Sequence, residues 1–284
     1  MFENEIIDCI RQYNPEIEIF DNELLGKTVH ISGKNVVFHL LPIPLTGLQN
    51  ISPTYFQEKS LEYASQEIQL VNLWQDCWVK KQAIVRSRIA MISGSSSRIH
   101  ARKTHLKRIS RDVMFEFFAV NHLQSFVDAR YNYGLFHEGQ LLAAASFSAG
   151  RNFIRNGVKG RSFELVRYAN TLHHRVTGGL GKIVAHFIMD ANPDDIMTYA
   201  DLDWASGKGY QALNFVQTNV THPQTFWIHP SEMKRYYQYK LPRQMTDDFR
   251  KQNKYANMDD FLKDSGYIKI YNAGNLKYIL LRGY

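Results

Sequence analysis

The chain has 284 residues, 44% of them hydrophobic and 21% charged, which is apolar enough for a sizeable core and excludes a disordered tail. A formal charge of +7 points to an acidic partner: nucleic acid, an anionic membrane surface or a phosphorylated cofactor. Two cysteines, Cys9 and Cys77, exclude a disulfide scaffold and a Cys/His zinc cluster, and they fit a reducing cytoplasm.

The N-terminus "MFENEIIDCIRQ" is acidic and amphipathic, unlike a signal peptide. No apolar run nears the roughly 18 residues of a membrane span, so a soluble, cytoplasmic protein without membrane contact is expected. "ENEIIDCIRQY" has helical spacing, and "KTVHIS" and "KNVVFHLLPI" are short strands joined at Gly33-Lys34. "PTYFQEKSLEYASQEI" follows as a helix, "QLVNLW" as a buried strand and "VKKQAIVRSRIAMI" as a third helix. The small polar stretch "SGSSSR" then sets an expected domain boundary between residues 97 and 98.

Beyond it, "RKTHLKRI" is a strand and "RDVMFEFFAVNH" a helix with Asp112 in its first turn. "YNYGLFHE" and "QLLAAASFS" form a hairpin around Glu138-Gly139. "RSFELVRYA" is a strand, "IVAHFIMDA" a helix, "DDIMTYADL" a strand, "GKGYQALNF" a short helix and "QTFWIHP" a strand. The order β-α-β-β-β-α-β-α-β predicts a mixed α/β domain over residues 98–242. A helix, a hairpin and a final strand over residues 243–284 extend it.

"RVTGGLGK", Arg175 to Lys182, stands between a strand and a helix. Such a glycine turn presents N–H groups at the positive end of a helix, where an anion is favoured, or it lets helix and sheet pack closely. It is neither a Walker loop nor a dinucleotide fingerprint, because Ile183 follows Lys182 and a third spaced glycine is missing. Tyr210 lies in the short helix downstream, where a tyrosine can simply pack in the core. Glu164 lies on the strand before this turn, and Asp201 and Asp203 stand at the end of the next strand, where they either face the crevice in which α/β sheets bind ligands or cap the turn into "WASGKG".

From Arg86 to Arg111 the chain carries Arg86, Arg88, Arg98, Arg102, Lys103, Lys107, Arg108 and Arg111 without an acid. These could neutralise DNA phosphates, with Arg98, Arg102, Lys103, Lys107 and Arg108 as the candidate contacts, or form a solvated face and strand edge. "KRYYQYKLPR" is a second mixture of cations and aromatics, suited to base stacking or to a strand.

The element order and the glycine turn resemble the GNAT superfamily of N-acetyltransferases, whose Q/R-x-x-G-x-G/A loop holds the pyrophosphate of acetyl-CoA. Gly179 and Gly181 match the G-x-G, whereas Arg175 lies one residue upstream of the first position, which holds Val176. "GYQALNF" is similar to that superfamily's L-Y-x-x-L-G-F helix, with Tyr210 on the tyrosine that protonates the leaving thiolate. The resemblance implies acetyl-CoA or another acyl-CoA held by Arg175, Val176, Gly178, Gly179, Gly181 and Lys182, an amine acceptor, small or macromolecular, and a base for its proton, for which Glu164, Asp201 and Asp203 are the candidates. From residue 25 onward, segments such as "FELVRYANTLHHRVTGGLGK" and "TYADLDWASGKGYQALNF" also resemble phage and mobile-element proteins described as homing or repair-type endonucleases. That likeness implies a restriction-endonuclease-like domain over residues 1–97 joined to a GNAT-like one. In it, His30 and the Phe38-His39 pair stand where metal-binding carboxylates belong, so a degenerate nuclease core without a metal is expected. The alternative to an acyltransferase is a nucleic-acid-binding protein with the GNAT-like part as scaffold.

Overall fold

The structure is a computed structural model describing residues 2–22, 25–48, 51–124, 126–155, 157–252 and 254–282. It is a mixed α/β protein. The chain begins with helix α1 (Phe2–Tyr13), strands β1 (Ile17–Asn22), β2 (Gly26–Ile31) and β3 (Val36–Leu41), helix α2 (Tyr55–Ser65), strand β4 (Gln69–Trp74) and helix α3 (Gln75–Ile92). Strands β5 (Ser97–His100) and β6 (His105–Arg108), helix α4 (Arg111–Asn121) and strands β7 (Tyr131–His137), β8 (Gln140–Phe147), β9 (Arg151–Arg155), β10 (Val158–Asn170) and β11 (His174–Thr177) follow. Next come helix α5 (Gly179–Ala191), strand β12 (Asp195–Asp201), helix α6 (Lys208–Gln211) and strands β13 (Val216–Val220), β14 (Thr225–His229) and β15 (Lys234–Tyr237). Helices α7 (Arg243–Lys251) and α8 (Met258–Asp264) and strands β16 (Ile268–Tyr271) and β17 (Asn275–Leu281) complete it.

These elements form two compact units. Unit 1 contains Met1–Gln82, Asp201–Ser206 and Val220–Asn275, and unit 2 contains Ala83–Ala200, Gly207–Asn219 and Leu276–Tyr284. The first crossing falls inside α3, beside the non-helical Lys81 (φ −135°, ψ 35°). This differs from the boundaries expected at 97/98 and 242/243. "SGSSSR" is partly ordered, because Ser97 and Arg98 pair as strand β5 with β11.

Unit 1 holds a sheet in the order β1-β2-β3-β4, antiparallel except for the parallel β3–β4 pair. β3 is buried at every position, as the uninterrupted apolar run around His39 requires. A second sheet, β15-β14-β16, packs under α7 and α8 around Trp227, Phe261 and Leu262. "KRYYQYKLPR" thus supplies a strand, with Tyr236 packed against that cluster.

Unit 2 is built on the order β13-β17-β12-β10-β8-β7-β6, with β9 paired to β10. Glu138 (φ 49°) and Gly139 (φ 81°) make the left-handed turn that the hairpin demands. On one face Met114, Phe117 and Phe118 of α4 pack against Ala144 and Ala169. On the other, Phe187 of α5 stacks on Phe147 with ring centroids 3.9 Å apart and meets Phe163 edge-on. The final strand, expected as part of an extension, instead completes this sheet between β13 and β12.

Candidate functional site

The chemistry-bearing residues of unit 2 gather where β10 and β12 part. The two strands pair in parallel only from Ser162–Asp195 to Leu165–Thr198. Beyond that point Thr198 Oγ1 donates to the Leu165 carbonyl at 2.9 Å, so a side chain takes up a group that the ladder has released. β10 is also irregular against β8 between Leu165 and Arg167, a bulge that turns the strand.

The glycine turn feeds α5 beside this opening. Gly178 is the N-cap at φ 78°, ψ 4°, a left-handed conformation favouring glycine. Lys182 N–H makes the first helical bond, to the Gly178 carbonyl. Of the earlier amides, that of Leu180 lies near the Tyr168 hydroxyl, which donates to Asn170 Oδ1 at 3.2 Å. Burial raises the Tyr168 pKa, keeping that hydroxyl neutral. Among the described residues no hydrogen bond is made by the N–H of Gly179 or Gly181. A Cβ on Gly179 would stand 2.9 Å from the Tyr168 hydroxyl and one on Gly181 3.0 Å from Leu213. The glycines thus admit close packing on the inner side of the turn, and the N–H groups of Gly179 and Gly181 are without a hydrogen-bond partner among the described residues.

Tyr210 lies on the same side. Its ring packs against Phe215 and Tyr278 at 5.7 and 5.6 Å, and its hydroxyl lies close to the Thr198 side chain. Burial raises its pKa, with Thr198, Arg167 and Arg88 opposing the shift, so it is a protonated phenol at neutral pH. Strand alternation puts Glu164, registered with Met197, on the opposite face from Leu165 and Thr198. There Glu164 neighbours Tyr199, while Ser148 Oγ accepts from its N–H at 2.9 Å. Tyr210 and Glu164 thus flank the opening from opposite faces.

The remaining candidates have other attachments. Asp201 and Asp203 belong to unit 1. Asp201 Oδ1 accepts from Asp203 N–H at 3.1 Å, which is a turn cap. Asp203 is buried, accepting from Ala273 N–H at 3.0 Å and Asn72 Nδ2 at 3.3 Å, and burial with Asp201 beside it pushes its pKa up to about 8. Val176 points inward, and its N–H donates to Asn170 Oδ1. Lys182, expected at a cofactor, donates from Nζ to the carbonyls of Ala101 (2.9 Å) and Thr104. Arg108, expected on nucleic acid, pairs with Asp190 at 2.6 Å and lies over the rings of Tyr131 and Tyr133. Arg98, Arg102, Lys103, Lys107 and Arg175 are exposed.

Tyr168 and Thr198 were missed in the sequence. The available signal was a tyrosine and a threonine on strands that alternate apolar residues, which by itself reads as packing.

No family model matches the chain, and no curated protein matches it. It is similar to a probable N-acyltransferase of Enterococcus faecalis at 15% identity, over 44% of this chain and 35% of that one, with a TM-score of 0.35. A Bacillus subtilis acetyltransferase in complex with CoA matches at 11% identity over 64% of this chain and all (100%) of that one, with a TM-score of 0.38. The ribosomal-protein-S18-alanine N-acetyltransferase of Escherichia coli matches at 10% identity over 64% of this chain and 95% of that one, with a TM-score of 0.36. The chain spans about a third of the length of the Enterococcus protein and of Eis1 from Mycobacterium abscessus (35% and 34%).

Proposed function

We propose that unit 2 is a GNAT-like N-acyltransferase that moves an acyl group from acyl-CoA to an amine. The observation carrying this reading is the parallel β10–β12 pair that opens beyond Leu165 and Thr198, with the amides of Gly179 and Gly181 unengaged beside it. Those amides, at the positive end of the α5 dipole, fit the pyrophosphate of the cofactor. Acyl-CoA supplies a thioester-activated acyl group. Tyr210, held against Thr198, donates a proton to the leaving thiolate, and its raised pKa keeps that proton in place. Glu164, across the opening, takes the proton of an amine arriving from the other face.

Acetyl-CoA is expected to raise the melting temperature, and Gly179→Glu to abolish the rise by putting a carboxylate among the amides. Tyr210→Phe should keep cofactor binding and lower kcat by about 100-fold. A folded protein that shows no shift at millimolar acetyl-CoA overturns the proposal.

A second reading is a nucleic-acid-binding protein of mobile-element origin, with residues 1–97 the remnant of an endonuclease-like domain. It is favoured by Arg98, Arg102, Lys103 and Lys107, exposed cations without an ion pair among the described residues. The neutral setting of His39 agrees with an inactive core: burial lowers its pKa, and Nε2 donates to the Leu25 carbonyl at 2.7 Å. Retention on DNA at low salt, lost when those four cations become alanine, would distinguish this reading.

A further inference from the structure

The ribbon leading into the glycine turn is made from two distant pieces of unit 2. β5 and β11 run parallel, with Arg98 opposite Arg175, Ile99 opposite Val176 and His100 opposite Thr177. Val176 is buried and Ile99 half-buried, whereas Arg98, Arg175, His100 and Thr177 are exposed on the other face. Two arginines therefore leave the same face of neighbouring strands, whose backbones lie about 4.8 Å apart, a cross-strand pair of like charges that repels unless an anion lies between them. Neither has an acidic partner among the described residues. Chain pairing holds them there: Ser97 N–H donates to the His173 carbonyl at 2.9 Å, and His173 N–H to Ser87 Oγ at 2.7 Å.

The ribbon runs straight into Gly178. Arg175 precedes it by three residues, about 10 Å of extended chain, which is the scale of one nucleotide sugar beyond a pyrophosphate at the Gly179 and Gly181 amides. We propose that Arg98 and Arg175 clamp a phosphate monoester, the 3′-phosphate of the CoA nucleotide; this rests on the acyltransferase reading. A monoester carries close to two charges at neutral pH, matching two guanidinium forks, each able to bind two oxygens. Arg98 thereby joins the cofactor site instead of a separate nucleic-acid surface.

Calorimetric titration of CoA and dephospho-CoA into the wild type, Arg98→Ala, Arg98→Lys and Arg175→Ala tests it. The wild type should prefer CoA by about tenfold, the effect of one or two charge-assisted hydrogen bonds. Arg98→Ala should remove that preference while leaving dephospho-CoA affinity unchanged, and Arg98→Lys should restore part of it. Equal affinity of the wild type for both ligands, or an equal loss of both in Arg98→Ala, overturns the clamp and leaves the acyltransferase reading standing. If neither ligand binds but an oligonucleotide does, and Arg98→Ala weakens it, the phosphate belongs to nucleic acid, and both the clamp and the acyltransferase reading fall. Arg98 is exposed, so an unchanged melting temperature verifies that each variant is folded.

Discussion

The polar centre of unit 1 and the sheet opening of unit 2 use the same physical device to opposite ends. In both, burial raises the pKa of an acid: Asp203 in the first, Tyr210 in the second. Around Asp203 the hydrogen-bonding capacity is spent on the chain itself, on Ala273 N–H and Asn72. Nearby in the same unit Asp76 takes Arg235 through Nε at 2.6 Å and Nη2 at 3.0 Å, and Gln57 Nε2 reaches the carbonyls of Thr221 and Ala273. These bonds tie loops and strands from remote parts of the chain. At the opening of unit 2, by contrast, backbone amides remain unengaged and a phenol stands on a half-buried face. A perturbed acid marks a reactive site only where its surroundings leave room for a reactant.

The sharpest way to break the comparison is to unpair the charge in unit 1. Asp76→Ala leaves Arg235 without its carboxylate and should lower unfolding free energy by about 3 kcal/mol in urea titration. A loss within experimental error would mean that the pair is not structural.

Asp203 gives the next largest effect, through pH. Its folded pKa of about 8 lies above an unfolded value of about 3.9, so the folded state holds a proton that the unfolded state has lost. Stability should therefore fall as pH rises from about 4 to 8, by on the order of 2 kcal/mol between pH 5 and 7, and level off above. Asp203→Asn removes that decline, since its Oδ1 can still accept from Ala273 N–H; an unchanged slope in the variant would refute the assignment.

The smallest effects separate the two roles of the glycine turn. Gly179→Ala forces a Cβ against Tyr168 and Val176 and should cost about 1.5 kcal/mol. Gly178→Ala meets only the Ala101 Cβ at 3.7 Å and should cost about 1 kcal/mol, the strain of a left-handed alanine. Equal losses in chemical denaturation would show that packing inside the turn adds nothing.

Much of the local structure was legible. Apolar periodicity announced α1, α2, α4 and α5, and Glu138-Gly139 announced the β7–β8 hairpin. The glycine turn was legible as a strand-to-helix junction, and Tyr210 as a residue near it. What pattern could not reveal was pairing across long separations. β1, β5, β9 and β13 carry short or exposed patterns that resemble loops until a partner strand supplies the other half of their hydrogen bonds. Asp201 and Asp203 looked like residues at a strand end facing a crevice because alternation says nothing about which core will cover them.

The residues alone determined the mixed α/β class, the helix starts and the left-handed turns, because these depend on backbone preferences and on apolar spacing within one element. Tertiary structure decided that β17 enters the sheet between β13 and β12, that residues 201–206 join unit 1, and that Arg98 stands opposite Arg175. Each of these is a contact between segments far apart in the chain. Such contacts are selected by the collective burial of apolar surface and the satisfaction of backbone groups, neither of which is written in a local run of residues.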